Sequence, residues 1–208
     1  NGKEIWAQPG SNVFSVGSTI ENGSAKIVHT DGDDIILRST NGDKLRTLKL
    51  PFISFAIERW PKAGLDPVIV GMHESTVKAF DFKGTLVGSL PIRRDGTDLS
   101  TATFAQGSDT FLAVVVSLLA SSGLSELYIF DQRDTLLYHE VFKGGNPAVA
   151  AGSAMSGSEN FLLVGGADGT VIEYRMRRKV RSENRDRHQR NANQVQNQSS
   201  SLAEGQDF

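Results

Sequence analysis

One short pattern recurs along this chain, and its spacing constrains the fold more than any other feature. It reads "NGKEIW" from Asn1, "NGDKLR" from Asn41, "KGTLVG" from Lys83 and "RDTLLY" from Arg133, and "TVIEYRMRRKVR" from Thr170 leads into a degenerate fifth copy. The turn positions are Gly2, Gly42, Gly84, Asp134 and Arg178, at intervals of 40, 42, 50 and 44 residues. A period of this length marks supersecondary units that bury their faces only against neighbours, as in radially arranged four-stranded sheets.

Each turn follows a short apolar run bounded by Gly, Asp or Ser, such as "DPVIVGMHES" before Thr76 and "NFLLVGGADG" before Thr170. Runs of four to eight apolar residues with such borders read as buried strands. Every repeat therefore divides into four strands, a to d from inner to outer. In the second repeat these are "FISFAIERW", "DPVIVGM", "TVKAFDF" and "TLVGSLPI", with "DFKGT" as the c–d hairpin turn. Asp81 and Asp131 follow Phe80 and Phe130 in equivalent places, where a carboxylate caps the turn. The most apolar run, "FLAVVVSLLA" at Phe111–Ala120, is ten residues long. It is too short to cross about 30 Å of hydrocarbon as a helix.

"PVIVGMHESTVKAFDFKGTLV" and "FLLVGGADGTVIEYRM" resemble β-propeller repeats of the quinoprotein-like and WD-repeat type, and are similar to FG-GAP-type repeats. "NGKEIW" resembles the end of the tryptophan-docking motif of quinoprotein propellers. The resemblance covers residues 1–176. It implies an all-β propeller of about four four-stranded antiparallel blades, with Gly2, Gly42 and Gly84 opening turns and Trp6 packing against the next blade. The complete docking motif, the WD dipeptide and a repeated acidic calcium loop are absent. The chain opens on a d strand, runs through three full blades and ends on a, b and c of a fourth. Two arrangements follow. Residues 3–8 supply the fourth blade's outer strand and close a small ring, or the chain is half of a seven- or eight-bladed ring completed by another segment or chain.

Residues 177–208 hold seven Lys/Arg and four Asp/Glu, whereas the whole chain has a net charge of −2, so a mildly acidic body carries a basic tail. The tail is rich in Arg, Asn, Gln and Ser without apolar periodicity, and is expected to be disordered. Arg177, Arg178, Lys179 and Arg181 are its candidate contacts for an acidic partner. No aromatic residue interleaves the basic run, which argues against nucleic acid as that partner. The chain has no cysteine, so disulfides and thiolate chemistry are excluded. The absence of Cys and of an initiator Met is compatible with a processed, extracytoplasmic chain, but the compartment is not readable.

Residues for chemistry are sparse. Asp31, Asp33 and Asp34 are the densest carboxylate group and the candidate ligands for Ca²⁺, the one cofactor the sequence leaves open. His29, His73, His139 and His188 show no metal-ligand spacing, and no nucleophile elbow or phosphate loop is present. Glu58, Arg59 and Trp60 sit at the end of an inner strand, facing a central channel or packing at an edge. The expected function is a non-catalytic propeller acting as a scaffold for a protein partner. A quinoprotein-like or carbohydrate- or Ca-binding propeller is the alternative.

Overall fold

The computed structural model describes residues 6–7, 13, 15–52, 54–63, 66–93, 96–118, 123–145, 147–153 and 160–176. Two-residue hairpins with positive φ at Asn22, Gly23, Gly32 and Glu74 reverse the chain tightly and force antiparallel neighbours. The first sheet is β1 (Val16–Glu21), β2 (Ser24–Asp31), β3 (Asp34–Ser39) and β4 (Lys44–Leu48). The second is β5 (Phe55–Arg59), β6 (Pro67–His73), β7 (Thr76–Phe80) and β8 (Leu86–Pro91). The third is β9 (Gly96–Gln106), β10 (Asp109–Leu118), β11 (Leu124–Asp131) and β12 (Leu136–Lys143). The fourth has three strands, β13 (Ala148–Ser153), β14 (Asn160–Gly165) and β15 (Val171–Met176). All four lie within one unit, Asn1–Met176. Each is a blade in strand order a–b–c–d, the last without d among the described residues.

The c–d connections share one construction. Gly42, Gly84 and Asp134 have φ of 89°, 86° and 62°, a left-handed conformation that glycine tolerates best. The residue three before each supplies the cap. Asp81 Oδ1 accepts from Lys83 and Thr85 N–H at 2.9 and 2.8 Å, and Asp131 Oδ1 accepts from Arg133 and Thr135 N–H at 2.8 and 2.9 Å. Ser39 Oγ takes the same place in the first blade, accepting from Asn41 and Asp43 N–H at 3.2 Å each. The register slips between Leu37 and Arg38, Ala79 and Phe80, and Ile129 and Phe130, so each outer strand begins with a bulge. In the fourth blade Arg175 stands at the cap position and β15 runs through it to Met176. A guanidinium cannot accept the turn's N–H groups, so the local signal to reverse is missing.

The blades stack face to face along an arc. β1 packs on β5, β5 on β9 and β9 on β13. Three cores result. Val28, Ile35 and Leu37 meet Phe55 and Ile69 between blades one and two. Val68, Val70 and Val77 meet Leu112, Val114 and Tyr128 between blades two and three. Ala113, Val115 and Leu127 meet Leu162 and Val164 between blades three and four. Central strands therefore bury both faces, which explains the unbroken apolar run of β10. The two outermost faces are different. Val16 and Ile20 on blade one are 72% and 69% exposed, and Val171 on blade four is 68% exposed. No strand pairing joins the first sheet to the fourth among the described residues. Among these residues no helix is long and apolar enough to cross a membrane.

Candidate functional site

Inner strands β1, β5 and β9 converge at the end where a turns into b, and a cleft of about 830 Å³ opens between them. Ser18 and Thr19 line it from β1, Glu58 and Arg59 from β5, and Thr103 from β9, with Asp66 at its rim. Thr103 Oγ1 donates to the Arg59 carbonyl at 2.7 Å, and Arg59 N–H donates to Glu58 Oε1 at 2.8 Å. These bonds tie the lining to its own backbone. The lining carries the Glu58 and Asp66 carboxylates and the Arg59 guanidinium, with no imidazole or amine among its described residues. Glu58 and Arg59 line this cleft, whereas Trp60 is fully buried between blades two and three.

Trp6 packs on the c–d turn of blade one. Its Nε1–H donates to the Thr40 carbonyl at 2.9 Å, and a Cβ on Gly42 would lie 2.8 Å from its ring. Gly42 is therefore required twice, by φ and by close approach. Gly84 shares the φ, but a Cβ there would meet only Leu48 at 3.7 Å, an ordinary contact. Gly2 lies outside the described residues, as do Arg177, Arg178, Lys179, Arg181 and His188.

Asp31 and Asp34 pair across the two-residue turn Gly32–Asp33. Lys49 Nζ holds Asp34 Oδ1 at 3.0 Å, neutralising one of the three carboxylates. Among the described residues no group of three acidic or imidazole side chains gathers around a common point. His29 and His73 serve local networks. His29 Nε2 accepts from Arg38 Nε at 2.9 Å, and His73 Nδ1 lies 3.3 Å from Lys78 Nζ.

Sequence reasoning missed a buried polar group. Glu126 is 1% exposed on β11, inside the core between blades two and three. Its carboxylate accepts from the Tyr128 hydroxyl and lies 3.1 Å from His139 Nε2. The Tyr128 hydroxyl in turn accepts from Arg93 N–H at 3.1 Å, pinning the crossover from blade two to blade three. The available signal was a lone Glu in step with Tyr128 and Phe130 on an otherwise apolar strand. A second such group joins blades three and four, where the Tyr138 and Tyr174 hydroxyls both donate to Glu140.

These bonds raise all three tyrosines above the usual value of about 10. Burial, then the bond to Glu126, pushes Tyr128 up to about 12. Burial and the Glu140 bond raise Tyr174, and the Glu140 bond followed by burial raises Tyr138. A group raised on folding stabilises the protein below its unfolded pKa and loses that contribution as pH climbs through the folded value. The contribution of the Tyr128 bond should thus be full up to about pH 10 and be lost as pH climbs to about 12. Phenolate absorbance followed alongside circular dichroism checks this. Ionisation should lag behind that of free tyrosine and accompany unfolding. Three phenols titrating near pH 10 in folded protein would contradict it.

Repeated four-stranded antiparallel blades around a common axis define a β-propeller, and the described sheets form an open arc of one. No protein family's sequence profile matches the chain, and no curated protein matches it. Among solved structures it is similar to BBS1N in complex with ARL6DN, in crystals soaked with lead, at 12% identity and a TM-score of 0.58. That match covers 83% of this chain and 56% of the other. The mercury-soaked form of that complex matches at 13% identity and a TM-score of 0.57, over 83% of this chain and 53% of the other. The likeness is one of fold, and the chain spans about half the length of these propellers.

Proposed function

We propose that this chain is a non-catalytic propeller module that holds a protein partner. The observation that carries the reading is the outer strand of blade three. Leu136, Leu137, Tyr138 and Val141 on β12 are 40%, 53%, 41% and 45% exposed, a concentration of apolar side chains on an edge strand. Exposed apolar patches with polar surroundings mark association surfaces. Here His139, Glu140 and Lys143 lie among them along the strand. The similar BBS1N propellers bind a protein, ARL6DN, which is consistent with this use of the fold.

The test is affinity capture from the cells of origin with the native chain and with Leu137→Asp/Val141→Asp. Both positions are exposed, so the variant should fold. The native chain should retain a stoichiometric protein that the variant loses. Retention of no protein, together with saturable calorimetric binding of a small molecule, would overturn the proposal.

A further inference from the structure

A second hollow, of about 230 Å³, lies at the end of blade three where its a–b and c–d turns sit together. Asp109 at the start of β10, Asp131 and Arg133 of the c–d turn, and Leu137 of β12 line it. It meets the cleft between the inner strands, because Thr110 lines both. Phe104 lines the inner hollow and Phe111 the outer one, and these cross-strand neighbours stack with ring centroids 5.3 Å apart. The two hollows therefore share a wall. A path runs from the apolar edge at Leu137, over the end of blade three, to the inner strands.

The described lining of this path is acidic. Glu58 and Asp66 accompany Arg59 in the inner hollow, and Asp109 and Asp131 accompany Arg133 in the outer one. Four carboxylates thus stand against two guanidiniums. Concave walls with an excess of one charge focus their field on a ligand of the other sign. Thr19 gives an independent indication of a ligand. It lines the inner hollow and is 7% exposed, yet its Oγ1 has no hydrogen-bond partner among the described residues. Buried polar atoms of native proteins are nearly always paired. The Thr103 hydroxyl spends its proton on the Arg59 carbonyl at 2.7 Å and keeps its lone pairs for a donor. The inner hollow therefore presents accepting oxygens and calls for a ligand that donates.

We propose that this path is a groove for a basic, extended segment of a protein partner. A lysine or arginine side chain of that segment sits beside Glu58 and Asp66, and an apolar side chain rests against Leu137. An ammonium or guanidinium brings only donors and a positive charge, which matches both the carboxylates and the unpartnered hydroxyl. An anionic ligand meets like charge along the same path. The inference rests on the reading of β12 as a partner surface, since Leu137 belongs to both the exposed strand and the groove. It adds the chemistry of the segment that the partner must carry.

Fluorescence anisotropy of a labelled Lys-Leu-Lys-Leu-Lys peptide tests this on the native chain. The peptide should bind saturably and its Glu-Leu-Glu-Leu-Glu counterpart should not, and added salt should weaken the binding. Glu58→Gln/Asp66→Asn should lower the affinity about fivefold, and Asp109→Asn by a smaller factor. All three side chains are exposed or half-buried, so these variants should fold. Thr19→Val removes a hydroxyl that bonds to nothing among the described residues. It should lower the affinity while leaving thermal stability unchanged or raised. Equal binding of the two peptides would overturn the proposal, as would an affinity unchanged in both carboxylate variants. Failure of the β12 reading looks different. A captured protein that needs Leu137 and Val141 but is held equally by Glu58→Gln/Asp66→Asn would leave β12 standing and overturn the groove. Lysine-peptide binding that depends on these carboxylates, in a chain that captures no protein, would keep the groove and count against β12.

Discussion

Trp60→Ala lowers the stability of the blades by about 3–5 kcal/mol. Trp60 is fully buried and contributes to the core between blades two and three. Its ring fills a slot that exists only because residue 88 is glycine. A Cβ at that position would lie 2.2 Å from the indole. Alanine leaves a cavity in a packed wall where neighbours on two sheets cannot both collapse. The reverse change, Gly88→Ala, destabilises by forcing the ring out of place, and should be rescued in part by Trp60→Leu, because the two sites are coupled. Trp60→Phe should cost less than Trp60→Ala. It keeps most of the volume and removes an indole N–H that is buried without an acceptor. Urea unfolding followed by circular dichroism reads all four variants. A loss below about 1 kcal/mol for Trp60→Ala would mean that the blades do not pack across this residue.

Glu126→Ala is the second large effect, with a cost of about 3 kcal/mol. The carboxylate accepts from the buried Tyr128 and faces the half-buried His139, so its removal leaves the Tyr128 O–H without its acceptor in the core and His139 without its carboxylate. Glu126→Gln retains one acceptor oxygen and should recover about half of the loss. Tyr128→Phe removes one of the groups that depend on Glu126, so its cost and that of Glu126→Ala should not add. Strict additivity in that double-mutant cycle would show that the cluster is not a unit.

The repeat was legible because it rests on local chemistry. Left-handed backbone at Gly42, Gly84 and Asp134, and the caps at Asp81 and Asp131, are set by a few adjacent residues, so spacing alone located them. The missing outer strand of the fourth blade was legible from the lack of apolar alternation after Met176, and among the described residues that sheet has three strands. What escaped depended on register between distant strands. Trp60 and Gly88 meet across a sheet, and Glu126 and His139 meet across β11 and β12, where a one-residue slip would separate them. The carboxylates of Asp31, Asp33 and Asp34 looked like a cluster because they are close in sequence. In the fold Asp34 is bound to Lys49, a residue fifteen positions away that spacing does not reveal. Glu58 and Arg59 line the cleft, while Trp60, just past the end of β5, turns into the core.

The account turns on the open arc, in which the free faces of blades one and four of a single chain lie apart. Spin labels at Ser18→Cys on β1 and Ala150→Cys on β13 occupy those faces at exposed positions. Dipolar spectroscopy on labelled chain diluted into unlabelled protein measures the separation within one molecule. The arc predicts a distance well beyond the roughly 10 Å that separates sheets packed face to face. A separation at that packing distance within one chain would show a small closed ring and contradict the account.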